Sequence, residues 1–132
     1  LGDLLDTHER LHVIPLNKAY EFVRRMSEYA KTFILVGNHD YIQNQQFLTQ
    51  NHWMNGMKKW ENVTIVDTVQ HIDIEGYQFT FCPYVPPGRF VEALNTDTKN
   101  WKLSDAIFCV HFSILMLSSE ILDFILSRTM PA

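Results

Sequence analysis

Little in this sequence points to an oxidising compartment, a membrane or a polyanion. Only two cysteines occur, Cys82 and Cys109, each inside an apolar run and without the close pairing of a zinc cluster. They read as reduced core residues, which favours a cytoplasmic setting. Basic residues are outnumbered, 11 against 15 acidic ones, and the resulting charge of −4 gives no general attraction to polyanions. Any nucleic acid would have to be held by a local basic patch or through metal ions. No apolar run is long enough to span a membrane: the longest, 112–126, is interrupted by Ser113, Ser118, Ser119, Glu120 and Asp123. The opening Leu1-Gly2-Asp3 has none of the features of a signal peptide and reads as the middle of a domain. Repeats and low-complexity tracts are absent as well, so one domain over residues 1–132 is the simplest organisation.

What is present is a folded composition, with 46% hydrophobic and 13% aromatic residues. Leu16, Ala19, Tyr20, Val23, Met26 and Ala30 recur at helical spacing between Pro15 and Lys31 and predict an amphipathic helix. Thr32 to Val36 is a short β-branched and apolar run ending at Gly37, which suits a strand buried on both faces. Phe47 to Trp60 reads as a helix or an ordered excursion, and Val63 to Val66 as a second strand. Alternating residues on either side of Glu75-Gly76 predict a hairpin from Val69–Ile74 and Tyr77–Cys82. A short helix over Arg89–Leu94 and a third buried strand over Ala106–Val110 complete an α/β pattern.

In α/β sheets functional groups collect just beyond the carboxyl ends of strands, and Asp3, Asn38 with His39, and His111 all fit that position. A carboxylate, an amide oxygen and imidazoles are hard and borderline ligands suited to manganese, iron or zinc. Two such ions would polarise a phosphoryl oxygen and lower the pKa of a bound water.

Gly2-Asp3-Leu4-Leu5-Asp6 followed by Gly37-Asn38-His39-Asp40 resembles the calcineurin-like metallophosphoesterase superfamily, whose pattern runs G-D-x-x-D and then G-N-H-D or G-N-H-E. The resemblance covers about residues 1–111 and implies a metallophosphoesterase-type αββα sandwich, incomplete at both ends. It implies two divalent metal ions, manganese foremost with iron or zinc as alternatives, and a phosphoester substrate attacked by metal-activated hydroxide. In that scheme Asp3 bridges the metals, Asn38 ligates one through its amide oxygen, and His111 matches a lone metal-binding histidine. His39 protonates the leaving oxygen, Asp6 orients His39, and Asp40 supports the loop from behind.

The family's Asp-x-His before the first motif and Gly-His-x-His after His111 do not occur here. The chain is therefore expected to be a partial domain with a divergent, helix-like tail over 112–132, and to bind metal weakly and hydrolyse little when isolated. The G-N-H-D form, and Thr7-His8 where the protein Ser/Thr phosphatases carry an Arg, favour a phosphodiesterase or nuclease over a phosphomonoesterase. The alternative from another class is a non-catalytic binding or scaffold module that keeps the fold with a degenerate site.

Other polar residues have plainer readings. His8, Arg10 and His12 read as a charged loop before the helix, His52, Trp53, Trp60, Tyr84 and Arg89 as aromatic packing and a surface arginine, and His71 as an exposed strand residue.

Overall fold

A computed structural model describes residues 2–6 and 8–110, together with the course of the strand Phe112–Leu115. Two small sheets form a mixed α/β fold. In the first, β1 (Thr32–Leu35) pairs in parallel with β2 (Val63–Val66), Thr32 opposite Val63 and Leu35 opposite Val66. The second has the order β3 (Gln70–Ile74), β4 (Tyr77–Cys82), β5 (Ala106–Cys109), β6 (Phe112–Leu115), with β4 and β5 parallel and the flanking pairs antiparallel.

Strand alternation decides which layer each side chain joins. Phe33 and Leu35 of β1, Phe79 and Phe81 of β4, and Phe108 with Val110 meet in one apolar layer between the sheets. Its centre is a run of stacked rings, Phe33 on Phe81 at 4.7 Å and Phe81 on Phe108 at 5.3 Å between centroids. The alternate residues Ile34 and Val36 face the other way, toward Val23 of α1 (Val13–Tyr29). Cys82 and Ile107 likewise face Ala93 and Leu94 of the short α2 (Phe90–Leu94). Among the described residues α1 thus packs on one side of the first sheet, α2 packs against the second, and the two sheets share an apolar layer. Cys82 is buried and Cys109 half-buried.

α1 begins two residues before Pro15, which the first turn tolerates, and its start lacks a side-chain cap, so packing of Ala19, Val23 and Tyr20 holds it in place. The excursion between β1 and β2 is irregular, with a 3-10 turn at Asn55–Met57 and a bridge between Tyr41 and His52. The hairpin turn has positive φ at both Glu75 (54°) and Gly76 (86°), as a type I′ turn requires. No helix among the described residues is long and apolar enough to cross a membrane.

Two expectations need correction. Phe112–Leu115, the start of the supposed helix-like tail, is a strand, because it pairs antiparallel with β5, Phe112 opposite Cys109 and Leu115 opposite Ala106. Residues 116–132 lie outside the described part. His71 is not exposed: its side chain is 5% accessible, its Nδ1 hydrogen-bonds Thr80 Oγ1, and Asp97 lies against its Nε2.

Candidate active site

The segment 2–6 crosses the carboxyl end of β1. At Gly2 an added Cβ would stand 3.0 Å from the carbonyl oxygen of Leu35 and 3.4 Å from a methyl of Val110, so this backbone threads between the ends of β1 and β5. Asp3 follows in the left-handed region, φ 50°, a conformation that aspartate tolerates better than most residues. Its carboxylate turns into the loop after β1. A Cβ on Gly37 would lie 1.8 Å from Asp3 Oδ1, so glycine at 37 is what makes room for that carboxylate. The His39 backbone N–H donates to Asp3 Oδ1 at 3.2 Å, fixing the acid beside Asn38 and His39.

The loop 37–40 is a tight turn in which the N–H groups of Asp40 and Tyr41 both donate to the Gly37 carbonyl. Fully buried Asp40 is its internal strut. Oδ1 accepts from Leu5 N–H at 3.2 Å and from the Trp53 indole at 2.9 Å, while Oδ2 accepts from Gly37 N–H at 3.0 Å. One carboxylate thus ties the first acidic segment, the glycine turn and the excursion together. Burial pushes its pKa above the ordinary range, and the three hydrogen bonds work against that rise.

His39 projects outward, 41% accessible, and its Nδ1 lies 2.5 Å from Oδ1 of Asp6. A carboxylate only accepts, so Nδ1 carries the proton and Nε2 is left for other work. His8 stands alongside, its ring centroid 5.4 Å from that of His39. The His8 backbone N–H donates to the His39 carbonyl, and its own Nδ1 donates to the Tyr41 carbonyl at 3.1 Å. An open pocket of about 410 Å³ adjoins this cluster, lined by His8, Glu9, Arg10, Ile42, Gln43 and Asn44.

Of the residues singled out from sequence, Asp3, Asp6, Asn38, His39 and Asp40 come together at this edge. His111 lies outside the described residues. Sequence reasoning missed His8, read as a loop residue, and Trp53, read as packing. It also missed a buried network in which Met54 N–H donates to His52 Nδ1 at 3.1 Å, and His52 Nε2–H donates to Asp67 Oδ2 at 2.8 Å. Lys58 Nζ reaches the same oxygen at 2.6 Å. Burial alone would raise the Asp67 pKa, but the bonds from His52 and Lys58 outweigh it and hold the carboxyl low. The one sequence signal for this network was the place of Asp67, just past the carboxyl end of β2.

Two viral proteins resemble this chain. It is 54% identical over 108 residues to "Putative phosphoesterase 244L" of Invertebrate iridescent virus 6, and 56% identical over 102 residues to "Putative phosphoesterase 078R" of Invertebrate iridescent virus 3. The matched stretches take in 81% and 77% of this chain but 38% and 29% of those proteins, so the chain spans well under half the length of the curated relatives it matches. No protein-family model matches the chain.

Proposed function

We propose that this chain carries the central part of a metal-dependent phosphoesterase site of the calcineurin-like kind. The observation that carries the reading is the joint placement of an inward carboxylate, Asp3, and an outward Asp6–His39 pair on the two faces of one glycine turn. The names of the viral relatives and the mixed α/β fold with its two small sheets support the same reading.

The residues present fit part of the ligand set for a pair of divalent ions. The space left by Gly37 holds a carboxylate against the turn, and Asp3 with the Asn38 amide offers hard oxygen donors of the kind manganese takes. Asp3, Asn38 and His111 would hold the ions, with iron or zinc as alternatives to manganese. When bound, such a pair supplies Lewis acidity and a more acidic water.

The remaining steps belong to the protein. Asp6 orients the His39 ring through Nδ1, and Nε2 of the protonated ring gives its proton to the leaving oxygen. Asp40 and Trp53 hold the turn so that Asp3 and His39 keep their separation. In this reading the leaving group would face the adjoining pocket of His8, Glu9 and Arg10, and Arg10 would meet a neighbouring phosphate. Such a pose would suit a phosphodiester, nucleic acid included, better than a phosphomonoester.

The test is hydrolysis of a model phosphodiester and a matched monoester, with added manganese, by a protein of the relatives' full length that contains this chain, since the chain by itself is expected to hydrolyse little. The expected result is faster diester cleavage that Asp3→Ala abolishes. Hydrolysis that is indifferent to both manganese and Asp3→Ala would overturn the reading.

A further inference from the structure

Asp6, His8 and His39 each present one ligand atom, and the three atoms lie within 4.8 Å of one another at the protein surface. None of them belongs to the ligand set proposed above. His8 is prepared in a specific way. Its Nδ1–H is spent on the Tyr41 carbonyl at 3.1 Å, which fixes the tautomer and leaves a lone pair on Nε2. Metal-ligating histidines are commonly held by such a bond from the opposite ring nitrogen to a backbone carbonyl. The His8 backbone is strained to match, with φ at 48°, and is tied to His39 by its N–H.

We propose that Asp6, His8 and His39 form a separate single-ion site for a zinc-class cation, with two imidazoles and one carboxylate as ligands and water completing the shell. This donor set is softer than that of Asp3 and Asn38 and discriminates against magnesium and calcium. A tetrahedral zinc site with bonds of about 2.0–2.1 Å keeps its ligand atoms roughly 3.3 Å apart. Seating the ion therefore opens the 2.5 Å Asp6–His39 contact and draws His8 inward. Asp6, 84% accessible, has the freedom to swing. The ion takes the place of the Nδ1 proton between Asp6 and His39, which is released to solvent, and the Nε2–H that remains belongs to a neutral metal-bound ring, a far weaker acid than an imidazolium. Occupancy thus removes His39 from acid catalysis, a consequence that rests on the phosphoesterase reading; the binding itself does not.

The experiment is a calorimetric zinc titration of the full chain carrying Asp3→Asn, which weakens the proposed two-ion site and keeps an oxygen for the His39 N–H. One zinc should still bind, undiminished by excess magnesium. Adding His8→Ala should weaken it at least tenfold, whereas adding His12→Ala, a change outside the cluster, should leave it unchanged. Circular dichroism of each variant shows that the fold is retained. Zinc affinity within twofold of the parent after His8→Ala in folded protein, or no zinc bound by the Asp3→Asn chain, would overturn the proposal. Neither result bears on manganese-dependent hydrolysis, which is measured separately on the unmodified protein.

Discussion

The pairs His39–Asp6 and His52–Asp67 use the same two groups at 2.5 and 2.8 Å, yet their surroundings give them different work. Both ring nitrogens of His52 are occupied, Nδ1 by Met54 N–H and Nε2 by Asp67, and its side chain is wholly buried. His39 spends only Nδ1 and stands at the surface beside a pocket. A histidine with both nitrogens committed inside the core is a structural cross-link; one with a nitrogen left over at a cleft is available for chemistry. Lys58 sharpens the contrast, since it makes the buried pair a three-membered network behind the bridge between Tyr41 and His52.

If the comparison is right, removing each histidine pair should damage a different property. The largest effect is expected for His39→Ala, which in a protein of the relatives' full length that contains this chain should lower turnover by about 10²- to 10⁴-fold. Its stability should stay within about 0.5 kcal/mol of wild type, because the side chain is partly solvated. Equal loss of stability in chemical denaturation would mean that the two pairs do not differ as described.

Gly37→Ala comes next. Its Cβ would displace Asp3 Oδ1 from 1.8 Å away, and a misplacement on the order of 1 Å costs about 10²-fold in rate. Steady-state kinetics on folded protein check this, and near-normal turnover would show that the Asp3 position is not critical.

Asp67→Asn should do the reverse of His39→Ala, costing about 2–3 kcal/mol in unfolding free energy with turnover changed only through the folded fraction. The figure sits low for a broken buried pair because Lys58 can reach water. The pH dependence has a definite sign. The native Asp67 carboxyl is held below its ordinary value of 3.8, so its contribution is present above that value and lost as pH falls below it. The stability gap between wild type and Asp67→Asn should therefore narrow in acid. A gap that is constant from neutral pH down to about pH 3 would count against the network.

The smallest effect lies far from either pair. Glu75 sits at a φ of 54° that glycine or asparagine adopts more easily, so Glu75→Asn should stabilise by roughly 0.5 kcal/mol in thermal melts and leave turnover untouched.

The contrast also marks what a sequence makes legible. Val63–Val66 and the hairpin around Glu75-Gly76 were readable because local periodicity and turn chemistry decide them. The grouping of Asp3, Asp6, Asn38, His39 and Asp40 was readable through two contiguous motifs. His52 and Asp67 are separated by 15 in sequence, with Lys58 between them, and the three meet only because the irregular excursion folds back on itself, which no spacing announces. Trp53 and His8 acquire their roles from a buried carboxylate and a backbone carbonyl, partners that composition does not reveal. His71 alternates as an exposed residue would, but Asp97 and the chain around Ser104 cover its face of the hairpin. Ser113 interrupts an apolar run in a way that resembles a helix, and pairing with β5 overrides it.

The central claim is that Asp3 holds metal while His39 handles a proton at the same turn. Manganese content and turnover measured side by side on Asp3→Ala and His39→Ala, each placed in a protein of the relatives' full length that contains this chain, test it most directly. Asp3→Ala should lose both bound manganese and activity, and His39→Ala should keep its manganese and lose activity by at least about 10²-fold. Full manganese in Asp3→Ala, or a His39→Ala protein within a few-fold of wild-type turnover, would contradict the account.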